Sequence, residues 1–318
     1  MHPLELSIVI VNWNSKQFVE QCLTSIRTNV KFARYEIIVI DNASYDGCKE
    51  MLESEFPDVI FIQSAANLGF ARANNLAYDQ GQGKNVLFLN PDTEIHGSAI
   101  QTLLDALKSI PDAGMVGAKL LNSDTTLQTT CITALPSILN QALASNYLRQ
   151  HFPNWHIWGM RPLYIKKQRV TSVEAISGAC MMAKRDILDQ IGCFTSDYFM
   201  YSEDMDLCAK ITKTGAKIYY VPEAVIVHHG GGSSSSHSQS NFSSVMQRES
   251  LAKFFELHRG RTYSLMYRAS TAVVSLCRIA LIIASAPVTV CVKGYQFWSN
   301  RTSKWSAILF WSINLSRW

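Results

Sequence analysis

Three short runs of aliphatic and β-branched residues, at 6–11, 36–40 and 86–89, each stop on polar side chains: Asn12 and Asn14, Asp41 and Asn42, and Asn90 with Asp92. Continuous apolar runs of this length are what a strand buried on both faces requires. A further run at 59–62 completes a set of four. Between them lie helical patterns. Ser15 can cap a helix whose Phe18, Cys22, Leu23 and Ile26 fall on one face; a second helix is expected over 46–54, and NLGFARANNLA turns at Gly69 into a third. Strand and helix in alternation predict an α/β fold, with a mostly parallel sheet flanked by helices. Ligands bind such sheets beyond the carboxyl ends of the strands. Asn, Asp and Pro also end strands for purely local reasons, but three polar loops in step point to one crevice.

The pattern continues with a helix over 98–109 and a strand over 115–121. From 122 to 173 periodicity weakens, and Trp155, Trp158, His151 and His156 gather near Pro153 and Pro162, which suggests a specificity insert. Order resumes over 173–183, a run that contains Ser177-Gly178-Ala179. A short helix from Asp186 and a turn at Gly192 follow, then YFMYSEDMDLC at 198–208. An ionised carboxylate against apolar walls can have its basicity raised, as proton removal from a hydroxyl requires. Ser202 before Glu203 and Asp204 is equally the chemistry of a helix N-terminus. Strands at 217–221 and 225–227 lead into His228 and His229, and SSSSHSQS beyond them is a flexible stretch that could cover the crevice.

Charge is uneven. From residue 245 onward ten Lys/Arg stand against two Glu, while the whole chain is only +4. A mildly acidic body with a basic tail points to an anionic membrane surface, and no nucleic-acid-binding motif occurs. The eight cysteines show no CxxC pair, so a reduced, cytoplasmic protein is expected, and the N-terminal run reads as a strand rather than a signal peptide. Residues 269–292 are apolar apart from Arg278, with Pro287 inside the run, and four of seven tryptophans (298, 305, 311, 318) fall in the last 21 residues. Tryptophan with Arg and Lys favours a membrane interface, so peripheral attachment is expected. The competing reading is a helical subdomain packed on the body or on a second subunit. Three parts follow: 1–121, 122–240 and 241–318.

Taken as an ordered set, SIVIVNWN, IDNASYDG, NLGFARANN, LFLNPD, ISGAC, YFMYSEDMDLC and VPEAVIVHHGGGS resemble family 2 glycosyltransferases of the GT-A fold, most closely the rhamnosyltransferase branch. The resemblance covers about residues 4–235 and implies residue roles. Asn12, Asp41 and Asn42 match positions lining the base and ribose pocket of a dTDP- or UDP-sugar. Asn67, Gly69 and Asn75 flank the nucleotide, and Arg72 is either a phosphate contact or simply solvated. Asp92 matches the metal-binding acid of the DxD motif, with Asn90 standing where the first acid would be; His228 adds a ligand for Mg2+ or Mn2+, with His229 in reserve. Asp204 matches the general base of an inverting displacement, Glu203 its neighbour toward the acceptor, Phe199 and Tyr201 an apolar wall, and Asp206 a structural acid.

The implied reaction moves a sugar, specifically rhamnose from dTDP-rhamnose, onto a lipid-linked saccharide. It would take place at the inner face of the cell membrane, in surface polysaccharide assembly. Other UDP- or dTDP-sugar specificities stay open, as does a catalytically silent scaffold, given Asn90. A nucleotidyltransferase or a dinucleotide-dependent oxidoreductase would need a Gly-rich phosphate loop after the first strand, and VNWNSKQF holds no glycine.

Overall fold

The structure is a computed structural model that describes residues 4–31, 34–230 and 240–314. The chain forms two compact units: residues 1–135, 149–199 and 203–235 in the first, and 136–148, 200–202 and 236–318 in the second. All but the last residue of the serine-rich stretch at 233–240, and Trp318, lie outside the described residues.

The first unit opens with β1 (Leu6–Asn12), α1 (Lys16–Asn29), β2 (Tyr35–Asp41), α2 (Cys48–Glu55), β3 (Ile60–Gln63), α3 (Phe70–Tyr78) and β4 (Asn85–Leu89). β1 and β4 are buried along their whole length, as uninterrupted aliphatic sequence demands. α1 buries Val19, Cys22, Leu23 and Ile26 as one stripe, packed mainly on the short strand at Thr93–Ile95. Ser15 does sit at its N-cap, but its hydroxyl donates to Asn12 Oδ1 at 3.0 Å rather than capping the helix. The chain continues through β5 (Thr93–Ile95), α4 (Ala99–Ser109), β6 (Ala113–Leu121), β7 (Ile132–Thr133), α5 (Ile138–Ala142), α6 (Asn146–His151), β8 (Thr171–Val173), β9 (Ala175–Ile176), β10 (Cys180–Lys184), α7 (Arg185–Ile191), α8 (Glu203–Lys213) and β11 (Lys217–His228).

Among the described residues, nine strands make one sheet in the order β3-β2-β1-β4-β10-β6-β11-β5, with β8 also on β11. The first four run parallel, in a register that sets Asn12 opposite Asp41. Beyond β4 the sheet becomes mixed, because β10 inserts antiparallel between β4 and β6. Its N-terminal end therefore lies at the carboxyl end of β4, with Cys180 opposite Leu89. β11 runs parallel to β6, and a register shift between Val221 and Val225 lets its last residues pair with β5, His228 opposite Thr93. Within the insert, Phe152, Trp155 and Trp158 stack in sequence, and Trp158 is buried.

The second unit holds α5, whose Ser137 and Asn140 form a reciprocal capping box, and α9 (Ser240–Arg259), α10 (Arg261–Ala284), α11 (Ala286–Lys293) and α12 (Tyr295–Ser312). α10 is long and apolar enough to cross a membrane by length and composition alone. Two of the tail tryptophans are engaged within the unit. Trp311 is buried under the Arg268 guanidinium, and Trp298 donates to the Ile282 carbonyl at 3.1 Å. All eight cysteines are free thiols; six are buried, while Cys277 and Cys291 are exposed.

Candidate active site

The carboxyl ends of β1 and β2 carry a closed polar network. Asn12, fully buried, places Nδ2 within 2.9 Å of Asp41 Oδ1, 3.1 Å of Ser44 Oγ and 3.0 Å of Asp46 Oδ1, while its Oδ1 accepts from the Ser15 N–H. Asp41 accepts from Asn12, from Ser44, from the Tyr45 N–H at 3.0 Å and from Gln63 Nε2 at 2.7 Å. Burial pushes its pKa up, but these hydrogen bonds outweigh burial and hold the carboxyl below its ordinary value. The carboxylate is therefore held ionised and rigidly aimed.

Asn42 continues the network. Its Oδ1 accepts the Leu68 N–H at 2.8 Å and its Nδ2 donates to Asn67 Oδ1 at 3.0 Å, the oxygen that also accepts the Gly69 N–H. Gly69 has φ +77° and ψ 175°, a region open essentially to glycine alone. What approaches it is the aromatic run: a Cβ here would lie 2.3 Å from the Phe199 carbonyl oxygen, which accepts the Phe70 N–H at 2.8 Å. Gly69 thus docks the loop that leads to the acidic helix. Asn75 latches the same region, exchanging two hydrogen bonds with the Phe194 backbone, and Arg72 donates to the Ser196 carbonyl.

At the carboxyl ends of β4 and β11, Asn90, Asp92 and His228 converge. His228 Nε2 lies 3.3 Å from Asp92 Oδ1 and 3.3 Å from Asn90 Nδ2. Asn90 Oδ1 is buried and has no hydrogen-bond partner, which leaves a hard amide oxygen available in the group. One carboxylate, one imidazole and one amide carbonyl are ligands that a Mn2+ or Mg2+ ion accepts. The residues fit the cation, although among the described residues no three His, Cys, Asp or Glu side chains gather anywhere. His229 is committed elsewhere, with Nε2 3.0 Å from Glu94 Oε1 and Nδ1 2.8 Å from Ser123 Oγ.

Gln128, which the sequence did not single out, decides how His228 is presented. Its Oε1 lies 2.8 Å from His228 Nδ1, and its Nε2 donates to Asn122 Oδ1 at 3.0 Å. A carbonyl can only accept, so Nδ1 carries a proton and the opposite ring nitrogen, Nε2, is the one turned toward Asp92 and Asn90. Partners of this kind orient metal-ligating histidines. Gln128→Leu is therefore expected to weaken Mn2+ binding about 10–100-fold, read by titration of the free-Mn2+ electron-spin signal; unchanged affinity would remove Gln128 from the site.

The acidic helix α8 begins at Glu203. Asp204 Oδ2 accepts the Gly178 N–H at 3.0 Å and Oδ1 accepts the Met205 N–H at 2.8 Å. The next residue along, Ala179, accepts the Asn90 N–H at 3.0 Å. Asp204 and the Asn90 loop are thus joined through two consecutive residues of the ISGAC segment, made possible by the antiparallel entry of β10. Burial raises the Asp204 pKa against the lowering effect of those N–H donors. Glu203 is buried with Oε2 unpartnered, and burial, reinforced by the neighbouring Asp204 charge, pushes its pKa well up. Asp206 accepts from Thr195 Oγ1 at 2.6 Å and so pins the loop before the helix. Tyr201 and Ser202 have φ +69° and +64°; a capping serine has extended dihedrals, so Ser202 departs from the expected cap.

The raised Glu203 pKa has a sign. The folded protein keeps this proton to higher pH than the unfolded chain, so stability falls as pH rises from the ordinary carboxylate range to the folded pKa. Glu203→Gln, which cannot ionise, is expected to melt a few degrees above wild type at neutral and alkaline pH, where ~1 kcal/mol corresponds to about 2–4 °C. The gain should vanish below about pH 4. Thermal melts across this range check it, and a neutral-pH loss would contradict the burial argument.

Known proteins share sequence and fold with this chain. The chain is 27% identical over 239 residues to the N-acetylglucosaminyl-diphospho-decaprenol L-rhamnosyltransferase of Mycobacterium tuberculosis, covering 70% of this chain and 75% of that one. It is 24% identical to the rhamnosyltransferase WbbL of Escherichia coli K12, over 68% and 80% of the two chains. In fold it is similar to the mannosyltransferase PcManGT from Pyrobaculum calidifontis in complex with GDP-Man and Mn2+, with a TM-score of 0.58 and 16% identity over 99% of this chain and 88% of that one. The family model described as Glycosyl transferase family 2 matches residues 7–192, well over half of the chain, and the chain belongs to that family.

Proposed function

We propose that the enzyme transfers rhamnose from dTDP-rhamnose, with inversion, to a hydroxyl of a lipid-linked saccharide in surface polysaccharide assembly. The observation that carries the reading is Asp204: a part-buried carboxylate at a helix start, tied through Gly178 and Ala179 to the Asn90-Pro91-Asp92 loop. Its raised pKa suits proton removal from a hydroxyl. Asn12, Asp41 and Asn42 would hold the base and ribose, with Asn67, Gly69 and Asn75 shaping the adjoining loop. Asp92, His228 and the Asn90 carbonyl would hold Mg2+ or Mn2+, which stabilises the charge that grows on the departing diphosphate. Asp204 takes the acceptor proton on the opposite face of the sugar, and Glu203 orients the acceptor. In this division residues 1–121 bind the donor, 122–240 serve acceptor and catalysis, and 241–318 attach to the membrane from the cytoplasmic side. The relatives' names support rhamnose and a diphospho-lipid acceptor.

The test is transfer with a panel of dTDP-, UDP- and GDP-sugars in the presence of Mg2+ or Mn2+, with the product anomer assigned by NMR. Turnover of dTDP-rhamnose with inversion is expected. Retention of configuration, or turnover of a different donor alone, would overturn the corresponding part.

A further inference from the structure

Within the second unit, cations gather where no acid meets them. The Arg278 and Arg248 guanidiniums lie 4.6 Å and 5.7 Å from the centre of the same Trp305 ring. Arg301 and Lys304 precede that tryptophan on α12, one turn and one residue away. The charged neighbours felt by Lys304 are Arg248, Arg278 and Arg301, and burial together with their repulsion lowers its pKa. Arg248 and Arg278 are fixed by backbone carbonyls, of Ser244 at 2.8 Å and Ala144 at 3.1 Å, which orient them without neutralising them. The acids of this unit are Glu249 and Glu256, both exposed, and among the described residues neither pairs with any of the four cations. Partly desolvated cations held together are costly unless an anion joins them, and guanidiniums suit phosphate oxygens in particular.

α10 supplies the second observation, because its amphipathicity is reversed. Its buried positions include Ser264, Thr271 and Ser275, whose hydroxyls are satisfied by backbone carbonyls. Its outward arc carries Leu265, Met266, Val273, Leu276, Leu281 and Ile283, all exposed. Water-facing helices show the opposite pattern, whereas polar small residues inside and aliphatic residues outside belong in hydrocarbon.

We propose that Arg248, Arg278, Arg301 and Lys304 form a site for the phosphate or diphosphate oxyanion of a membrane lipid, while the aliphatic face of α10 rests among its acyl chains. The proposal deepens the membrane reading above and rests on it. The phosphate has two possible sources, bulk anionic headgroups or the diphosphate of a lipid-linked acceptor.

The experiment floats the full chain with vesicles of phosphatidylcholine alone, with added phosphatidylglycerol, or with undecaprenyl diphosphate at matched charge. Wild type should bind both anionic sets more tightly than phosphatidylcholine. R301Q/K304Q, at exposed and half-buried positions respectively, should lose about tenfold on anionic vesicles only, and K304R should retain binding. Preference for the diphosphate lipid at equal charge assigns the site to the acceptor, and equal binding assigns it to headgroups. Anionic binding unchanged in R301Q/K304Q, or no anionic preference in wild type, overturns the site and leaves the membrane reading standing. Wild type floating with no vesicle overturns both. Inorganic pyrophosphate bound without vesicles by wild type but not the variant, with no anionic preference, would overturn the commitment to lipid.

Discussion

Asp204→Asn is expected to lower transfer about 10²–10⁴-fold, the range of a positioned general base, while nucleotide-sugar binding changes little. The amide keeps the carboxylate's shape but cannot take a proton. Both carboxylate oxygens accept backbone N–H bonds, from Gly178 and Met205, so the amide NH2 must face one donor and the side chain will shift slightly. The readout is therefore kcat with donor affinity measured separately; a fall in both would indicate a distorted site rather than a missing base. In wild type the acid limb of the rate profile should lie above the ordinary carboxylate range, because burial raises this pKa. Wild-type transfer by the asparagine variant would put the base elsewhere.

Asp92→Ala should have an effect of similar size, with a different signature. Removing the one carboxylate beside His228 Nε2 leaves an imidazole and an amide oxygen, too little for a hard divalent ion. Mn2+ affinity is expected to fall at least ~10²-fold, more than for loss of a supporting residue, and the Mn2+-induced rise in Tm should disappear. His229→Ala is the control, since that ring is occupied by Ser123 and Glu94; Mn2+ binding should persist. Equal losses in both variants would mean that the assignment to His228 is wrong.

Much of this was legible in the residues because apolar runs report burial directly. β1, β2 and β4 and the polar loops that end them were readable from hydrophobicity alone. Strand direction was not. The run at 173–183 gave no sign that its last part enters antiparallel, because burial looks the same whichever way a strand points, and only that reversal brings Gly178 to Asp204. Gln128 and Gln63 were missed for a related reason: an isolated glutamine carries no periodicity, and its value depends on a partner far away in sequence. The tail's tryptophans pointed to a membrane interface as a composition, but composition does not say which of them face outward: Trp311 is buried against Arg268, while α10 carries an exposed aliphatic face of its own.

The distribution of thiols has a practical consequence. Burial pushes Cys22, Cys48, Cys180, Cys193 and Cys208 up to about 12, so at neutral pH they hold almost no thiolate for an electrophile to attack. Cys277 and Cys291 alone are open to reagent, and Cys277 stands on α10. The natural chain therefore comes with its own labelling sites: a polarity-sensitive maleimide dye would attach to the tail without engineered cysteines, and its emission would report what that helix is immersed in.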